Sequence, residues 1–339
     1  MATHNRLPVL EIFRGVAAIF VVIHHALISI EYYHHFSNSY LKFICHIGKY
    51  GVDFFFVLSG FIISYSYAQN RYNGFTGFKR FLKLRLIRIY TPFLPISIGL
   101  FLMYSLFSSF SNSDKEIDFL TSITLIPLGK PALSVAWTLS HEMLFYLIFS
   151  TVFIFPKIWK EIILIWTTCI LINYFLQLSI ESSIYPIILS PYNLEFVMGC
   201  LLSNLYYRGV KVSINLLLPL AIVLFFGFTF IIWNAYYEIS FLSNFIFTLF
   251  SSVLIWLCLD INVKPRESFL FLGTISYSIY LVHNPLQMLI VRFYPKVQTE
   301  LSFLFLVFLI LFFVILTSWF YYNIFEKSVS NYLKRIWIY

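Results

Sequence analysis

A chain of 339 residues that is 60% hydrophobic, 21% aromatic and only 11% charged, with mean hydropathy +0.83, is too apolar for a water-soluble fold. Soluble domains carry about 25% charged residues, so the composition points to an integral membrane protein. The formal charge of +8 follows from where Lys and Arg fall between membrane segments, and it requires no nucleic-acid partner.

Ten stretches approach the roughly 20 residues that span a bilayer: 9–30, 47–68, 86–110, 136–155, 161–180, 188–207, 213–233, 240–260, 269–292 and 299–325. Prolines and polar residues interrupt 86–110 and 188–207. No stretch outside them is long enough for a soluble domain. The expected fold is therefore all-α and polytopic, with about ten transmembrane helices in a single membrane domain over residues 1–339. If the N-terminus lies inside, most of the 23 Lys and Arg fall on the cytoplasmic side, and the positive-inside rule then puts both termini in the cytoplasm. The first stretch lacks a basic n-region and a small-residue cleavage site, so it is expected to remain as a helix. Cys45, Cys169, Cys200 and Cys258 show no paired spacing and read as small buried apolar residues. There is no internal repeat, low-complexity linker or nucleotide-binding glycine loop.

The first stretch carries Arg14 and His25. Ionisable groups at membrane depth are costly and mark a function or a partner inside the protein. Eleven residues on a helix make about three turns with roughly 20° left over, so the two share one face about 16 Å apart. His24 is roughly 80° around from Arg14, which makes His25 the better partner. A guanidinium and an imidazole so placed could hold a long anionic donor and do proton chemistry at its tip. Two polar groups satisfied by neighbouring helices is the plainer alternative.

The second stretch reads Gly51-Val-Asp-Phe-Phe-Phe-Val-Leu-Ser-Gly-Phe61 and brings Asp53 into the bilayer from the outer side. Ser59 lacks a nucleophile-elbow pattern. A basic segment, Phe78-Lys-Arg-Phe-Leu-Lys-Leu-Arg-Leu-Ile-Arg-Ile-Tyr90, follows. Lys79 and Lys83 fall together on a helix, with Arg85 and Arg88 on another face. The lysines suit topology and lipid headgroups; the arginines, placed at the cytoplasmic mouth, suit phosphate.

Further along, Trp137-Thr-Leu-Ser-His-Glu-Met-Leu-Phe-Tyr146 contributes Glu142, and the sixth stretch contributes Asn193 and Glu195. Counted from the expected outer ends, His25, Asp53, Glu142 and Glu195 all lie about 8–12 Å deep. Four ionisable groups at one depth suggest a shared polar cavity. A neutral His is the natural general base there, and Asp53 or Glu142 could fix its tautomer. The spacing is not that of a metal site. The ninth stretch, Gly273-Thr-Ile-Ser-Tyr-Ser-Ile-Tyr-Leu-Val-His-Asn-Pro285, carries a helix-kinking proline. Its Ser276, Tyr280 and His283 either wall the cavity or serve as polar packing.

Together these motifs resemble the membrane acyltransferase-3 family of O-acyltransferases. The resemblance rests on Arg14-Gly-Val-Ala-Ala through His25, GVDFFFVLSGF at 51–61, Arg85 and Arg88 before Tyr90-Thr-Pro92, WTLSHEMLFYL at 137–147, LEFVMG at 194–199, SYSIYLVHNPL at 276–286 and NIFEKSVSNYLKR at 323–335. It runs nearly the whole chain in order. It implies that Arg14 and His25 are essential, with His25 catalytic, and that Arg85 and Arg88 meet an acyl-CoA donor. The depth reading adds Asp53 and Glu142 as candidates to orient His25, the helix geometry adds Arg14 as a holder of the donor, and Trp137, Glu195, Tyr280 and His283 are candidates to line the substrate cavity. The implied activity is transfer of acetyl from cytoplasmic acetyl-CoA to a hydroxyl of an envelope polysaccharide (O-antigen, capsule or exopolysaccharide) or its lipid-linked precursor. The enzyme would work in the inner membrane with no resident cofactor and no metal. Two departures stand out: Met143 and Leu144 replace the glutamate and glutamine common after Glu142, a variant resembling the exopolysaccharide-modifying branch, and no C-terminal hydrolase-like domain is expected. The rivals are a polytopic transporter or flippase, whose paired broken helices in two repeated halves are not visible, and a membrane glycan polymerase, which leaves the basic pair unexplained.

Overall fold

The computed structural model describes residues 8–36, 39–69, 73–107, 117–178, 182–234, 241–259 and 267–338. The expected ends of 86–110, 161–180 and 240–260 lie partly outside them. Among the described residues there is no β-strand, only a single bridge between Ile117 and Lys130. Nine of the described helices or helix runs are long and apolar enough to cross a membrane. The chain is an all-α polytopic membrane protein, and its helices group into two compact units.

The first unit, residues 1–68 with 198–319, is organised on α1 (Pro8–His34), an unbroken 27-residue helix. Then come α2 (Ser39–Lys49) and α3 (Gly51–Gln69), joined only through Tyr50, so that the two read as one membrane-length run. After the chain returns in α9 (Asn193–Tyr207), α10 (Ile214–Asn234), α11 (Phe241–Leu259), α12 (Glu267–Thr274), α13 (Ser276–Phe293) and α14 (Glu300–Tyr321) follow. Glycine lets α1 touch its neighbours backbone to backbone. A Cβ on Gly273 would lie 2.0 Å from the Glu11 carbonyl oxygen, and one on Gly51 would lie 2.7 Å from that of Ala17. Close approach of this kind drives helix association where lipid removes the hydrophobic incentive. It fixes α1 between α12 and α3.

The expected helix at 269–292 is two helices that break at Ile275, between α12 and α13. Ser276 Oγ donates to the Gly273 carbonyl at this break. Pro285 lies inside α13, which continues through it to Phe293. Broken in this way, the segment is missing from the nine long apolar runs, which accounts for nine where ten were expected.

The second unit, residues 69–197 with 320–339, is built on α4 (Gly74–Leu106), a 33-residue helix containing Pro92 and Pro95. Its expected start at 86 moves back to Gly74, because the basic segment is helical and continuous with the apolar one. Tyr321 donates to the Pro92 carbonyl at 2.5 Å. Next come α5 (Phe119–Thr124), α6 (Ala136–Ile154), α7 (Trp159–Leu176), α8 (Tyr185–Ile188), the first turns of α9 (Asn193–Tyr207), a π-helical segment (Tyr322–Val329) and α15 (Ser330–Trp337). In the π segment, Ser328 Oγ donates to the Asn323 carbonyl at 2.6 Å. Phe81, Phe145, Phe149, Phe153 and Phe196 form its aromatic centre.

The connection from α5 to α6 is held by side-chain hydrogen bonds. Thr121 N–H donates to Asp118 Oδ1, and the Ser122 hydroxyl accepts from Ala132 N–H while donating to the Asp118 carbonyl. Ser97 Oγ and Ser140 Oγ donate to the carbonyls of Ser122 and Leu125. Polar backbone outside a helix needs partners of this kind at membrane depth.

Candidate active site

Three imidazoles gather in the first unit. The His25 ring centroid lies 4.9 Å from that of His24 and 5.2 Å from that of His283 on α13, which in turn is 5.7 Å from Tyr280. Their hydrogen bonds separate them. His24 Nδ1 is 2.6 Å from the Cys45 carbonyl oxygen on α2. His283, fully buried, has Nδ1 3.2 Å from the carbonyl of Ile279 one turn earlier. A carbonyl only accepts, so in both rings Nδ1 carries the proton and donates. His25 is held by ring contacts and makes no hydrogen bond among the described residues. It is half-buried, which leaves its nitrogens able to meet a ligand. The tight packing of Gly48 under His24, where a Cβ would lie 3.1 Å from the His24 Cβ, completes that residue's structural setting.

Arg14 is half-buried on the same unbroken helix as His25, so the shared face and the separation of about 16 Å stand. Asp53, 1% exposed, occupies the first turn of α3. Its electrostatic neighbour is Lys49, whereas His25 interacts with His283 and His24. The first unit thus holds Asp53 and His25 on α3 and α1. Phe55 and Tyr280 approach to 6.4 Å beside the histidines.

The second unit has its own polar centre. The Arg85 guanidinium lies over the rings of Phe81 at 5.2 Å and Tyr146 at 5.4 Å. The Tyr146 hydroxyl donates to Glu142 Oε1. Arg85, Arg88, Glu142 and Tyr146 interact as one electrostatic group. The arginines therefore sit some 17–21 Å along α4 from its start, recessed from the helix end where a span beginning at 86 would have put them. Within the second unit Glu142 meets Tyr146 and the arginines.

Trp137, 40% exposed, packs on Tyr192 at 5.4 Å and edge-on to His141 at 5.8 Å. His141 Nδ1 is 3.2 Å from Asn193 Oδ1, and Asn193 Nδ2 donates to the carbonyls of Ile187 and Ile188. Glu195 is buried one turn from this set, at 3% exposure. Lys49, Tyr146 and His141 are the polar members that composition and depth did not single out. Two of them had a local signal: Tyr146 follows Glu142, and Lys49 precedes Asp53, by the four residues that stack side chains on a helix.

Membrane-length helices that bury imidazoles, arginines and carboxylates define a polytopic membrane protein with ionisable groups in its interior. An acyltransferase domain model matches residues 7–323, and the chain belongs to the acyltransferase-3 family. It is similar to the exopolysaccharide production protein ExoZ of Rhizobium meliloti (strain 1021), with 26% identity over 184 residues, which is 52% of this chain and 54% of that protein. The chain thus spans about half the length of this relative. No solved structure matches it.

Proposed function

We propose that this acyltransferase is a multi-pass O-acetyltransferase of the cytoplasmic membrane with both termini inside. It takes acetyl from cytoplasmic acetyl-CoA and places it on a hydroxyl of an envelope polysaccharide or its lipid-linked precursor. The observation that carries this reading is the environment of His25. Of three clustered imidazoles, two have Nδ1 engaged by backbone carbonyls, and His25 is the one with both ring nitrogens uncommitted among the described residues, on the face it shares with Arg14. The name of the relative from Rhizobium meliloti supports a polysaccharide acceptor.

In this reading a His25 nitrogen accepts the proton of the acceptor hydroxyl as its oxygen attacks the thioester carbonyl. The new C–O bond forms, the C–S bond breaks, and the CoA sulfur leaves as thiolate to be reprotonated. General-base assistance of this kind contributes typically 10²–10⁴-fold. Arg14 holds the donor along α1, and Arg85 and Arg88 bind its phosphates, for which a planar guanidinium is well suited. Glu142 and Tyr146 orient Arg85. Tyr280 and His283 wall the acceptor side, and Trp137 and Glu195 are further candidates for substrate contact.

The experiment is NMR of purified surface glycan from cells lacking the gene, complemented with wild type or with His25→Ala at matched membrane levels. O-acetyl signals restored by wild type and absent with His25→Ala are expected. Glycan acetylation that is the same with and without the gene refutes the assignment.

A further inference from the structure

One buried cation has no task in this scheme. Lys49 closes the last turn of α2, at the Tyr50 joint into α3. Its Nζ is sealed from solvent and has no hydrogen-bond acceptor. Its surroundings are the Tyr50 ring, 5.4 Å from the ammonium, and the electrostatic neighbours Asp53, His24 and His46. On the same helix, by contrast, Lys42 pairs with Glu31 at 2.9 Å.

Position at a helix C-terminus, a ring face and the Asp53 carboxylate all favour the charge, yet none of them comes within hydrogen-bonding distance of Nζ. An ammonium brings three donors, and burying it without an acceptor is expensive. The site it faces is close to the reaction centre: His24 Nδ1 bonds the Cys45 carbonyl, one turn before Lys49, and the His24 ring adjoins that of His25.

We propose that Lys49 recognises the acceptor by binding an anionic oxygen on it, the carboxylate of an acidic sugar or the phosphate of a lipid carrier, one side-chain layer from His25. The assignment rests on His25 being the base of acyl transfer. It makes Lys49 a specificity-determining residue, and it explains a charge kept where an apolar residue would be more stable.

The test uses the full-length protein in lipid nanodiscs and four probes: a glucuronate-containing tetrasaccharide, its carboxyl-reduced neutral counterpart, a polyprenyl phosphate and acetyl-CoA. Wild type is expected to bind one of the two anions, and Lys49→Met to bind that anion about tenfold or more weakly, in keeping with a lost charged hydrogen bond. Acetyl-CoA affinity should not change. Selective loss of the glucuronate probe identifies a sugar carboxylate; selective loss of the polyprenyl phosphate identifies a carrier phosphate. Lys49→Met removes a buried charge at similar side-chain length, so its melting temperature should equal or exceed that of wild type. Lys49→Gln replaces it should Lys49→Met fail to accumulate. Wild-type protein that binds acetyl-CoA but neither anion, or variants with undiminished anion binding, overturn the Lys49 assignment alone. Protein that binds neither acetyl-CoA nor any acceptor probe overturns the acyl-transfer reading beneath it.

Discussion

The contact of α1 with α12 makes Gly273→Ala a sharp perturbation. The added methyl would lie 2.0 Å from the Glu11 carbonyl oxygen and 2.6 Å from its carbon, where carbon–oxygen contacts are comfortable at roughly 3.3–3.6 Å. Both atoms belong to helix backbone and cannot rotate away, so the helices must part by more than about 1 Å. Overpacking typically costs about 1–3 kcal/mol, and the upper end is expected here. Because α1 carries Arg14 and His25, the shift also moves the reacting group, and a misplacement of about 1 Å can cost about 100-fold in rate. Gly227→Ala is the control. It lies in α10 with nothing within 4 Å of the new methyl, so it should gain about 0.4–1 kcal/mol from reduced chain entropy. Melting in detergent, together with glycan acetylation per folded protein, reads both effects. Gly273→Ala protein that melts and acetylates like wild type would refute the backbone contact as the element that positions α1.

Three further outcomes are expected. His24→Ala should retain acetylation per folded protein but lower stability by about 1–3 kcal/mol, since the Cys45 carbonyl loses its donor, while His25→Ala should melt normally and be inactive; equal residual activities of the two at matched protein levels would remove the distinction between them. Arg85→Lys should recover only part of the acetyl-CoA binding lost in Arg85→Gln, because Lys keeps the charge and loses the planar fork over the Phe81 and Tyr146 rings; calorimetry on purified protein decides this. The Asp118 carboxyl, which caps α5, is held below its ordinary value of 3.8 by hydrogen bonds from Thr121; a group depressed on folding contributes stability that is present above that ordinary value and lost as pH falls through the folded one. Exchange protection in α5, measured relative to the intrinsic exchange rate at each pH, should therefore fall below about pH 4 in wild type and show no such fall in Asp118→Asn.

Much of the helical architecture was legible because each membrane helix declares itself through length and apolarity. The misreadings occur where one residue class carried two messages. The charges of Lys79 through Arg88 put the start of the expected span at 86, because charge usually ends an apolar run. The backbone nevertheless stays helical from Gly74, as Lys, Arg and Leu are good helix formers. At 269–292 an apolar run concealed a break at Ile275, since packing of Gly273 on Glu11, not composition, decides where α12 stops.

Depth counting ranks residues by distance from assumed helix ends and is blind to the face they occupy, so it did not single out the contact of Glu142 with Tyr146 and the arginines inside the second unit. Phase carries that information: the eleven-residue spacing of Arg14 and His25 lies on an unbroken α1, and Glu142 and Tyr146, like Lys49 and Asp53, are four residues apart. What no spacing on α1 could reveal is the contrast between adjacent histidines. That depends on a Cys45 carbonyl 21 residues away in sequence and on His283 in another helix. Neighbours in sequence become chemically unlike because one ring turns toward α2, where a carbonyl fixes its proton, and the other toward α13, where no acceptor meets it. The distinction between His24 and His25 thus follows from where the neighbouring hydrogen bonds go, and α1 supplies only the direction in which each ring points.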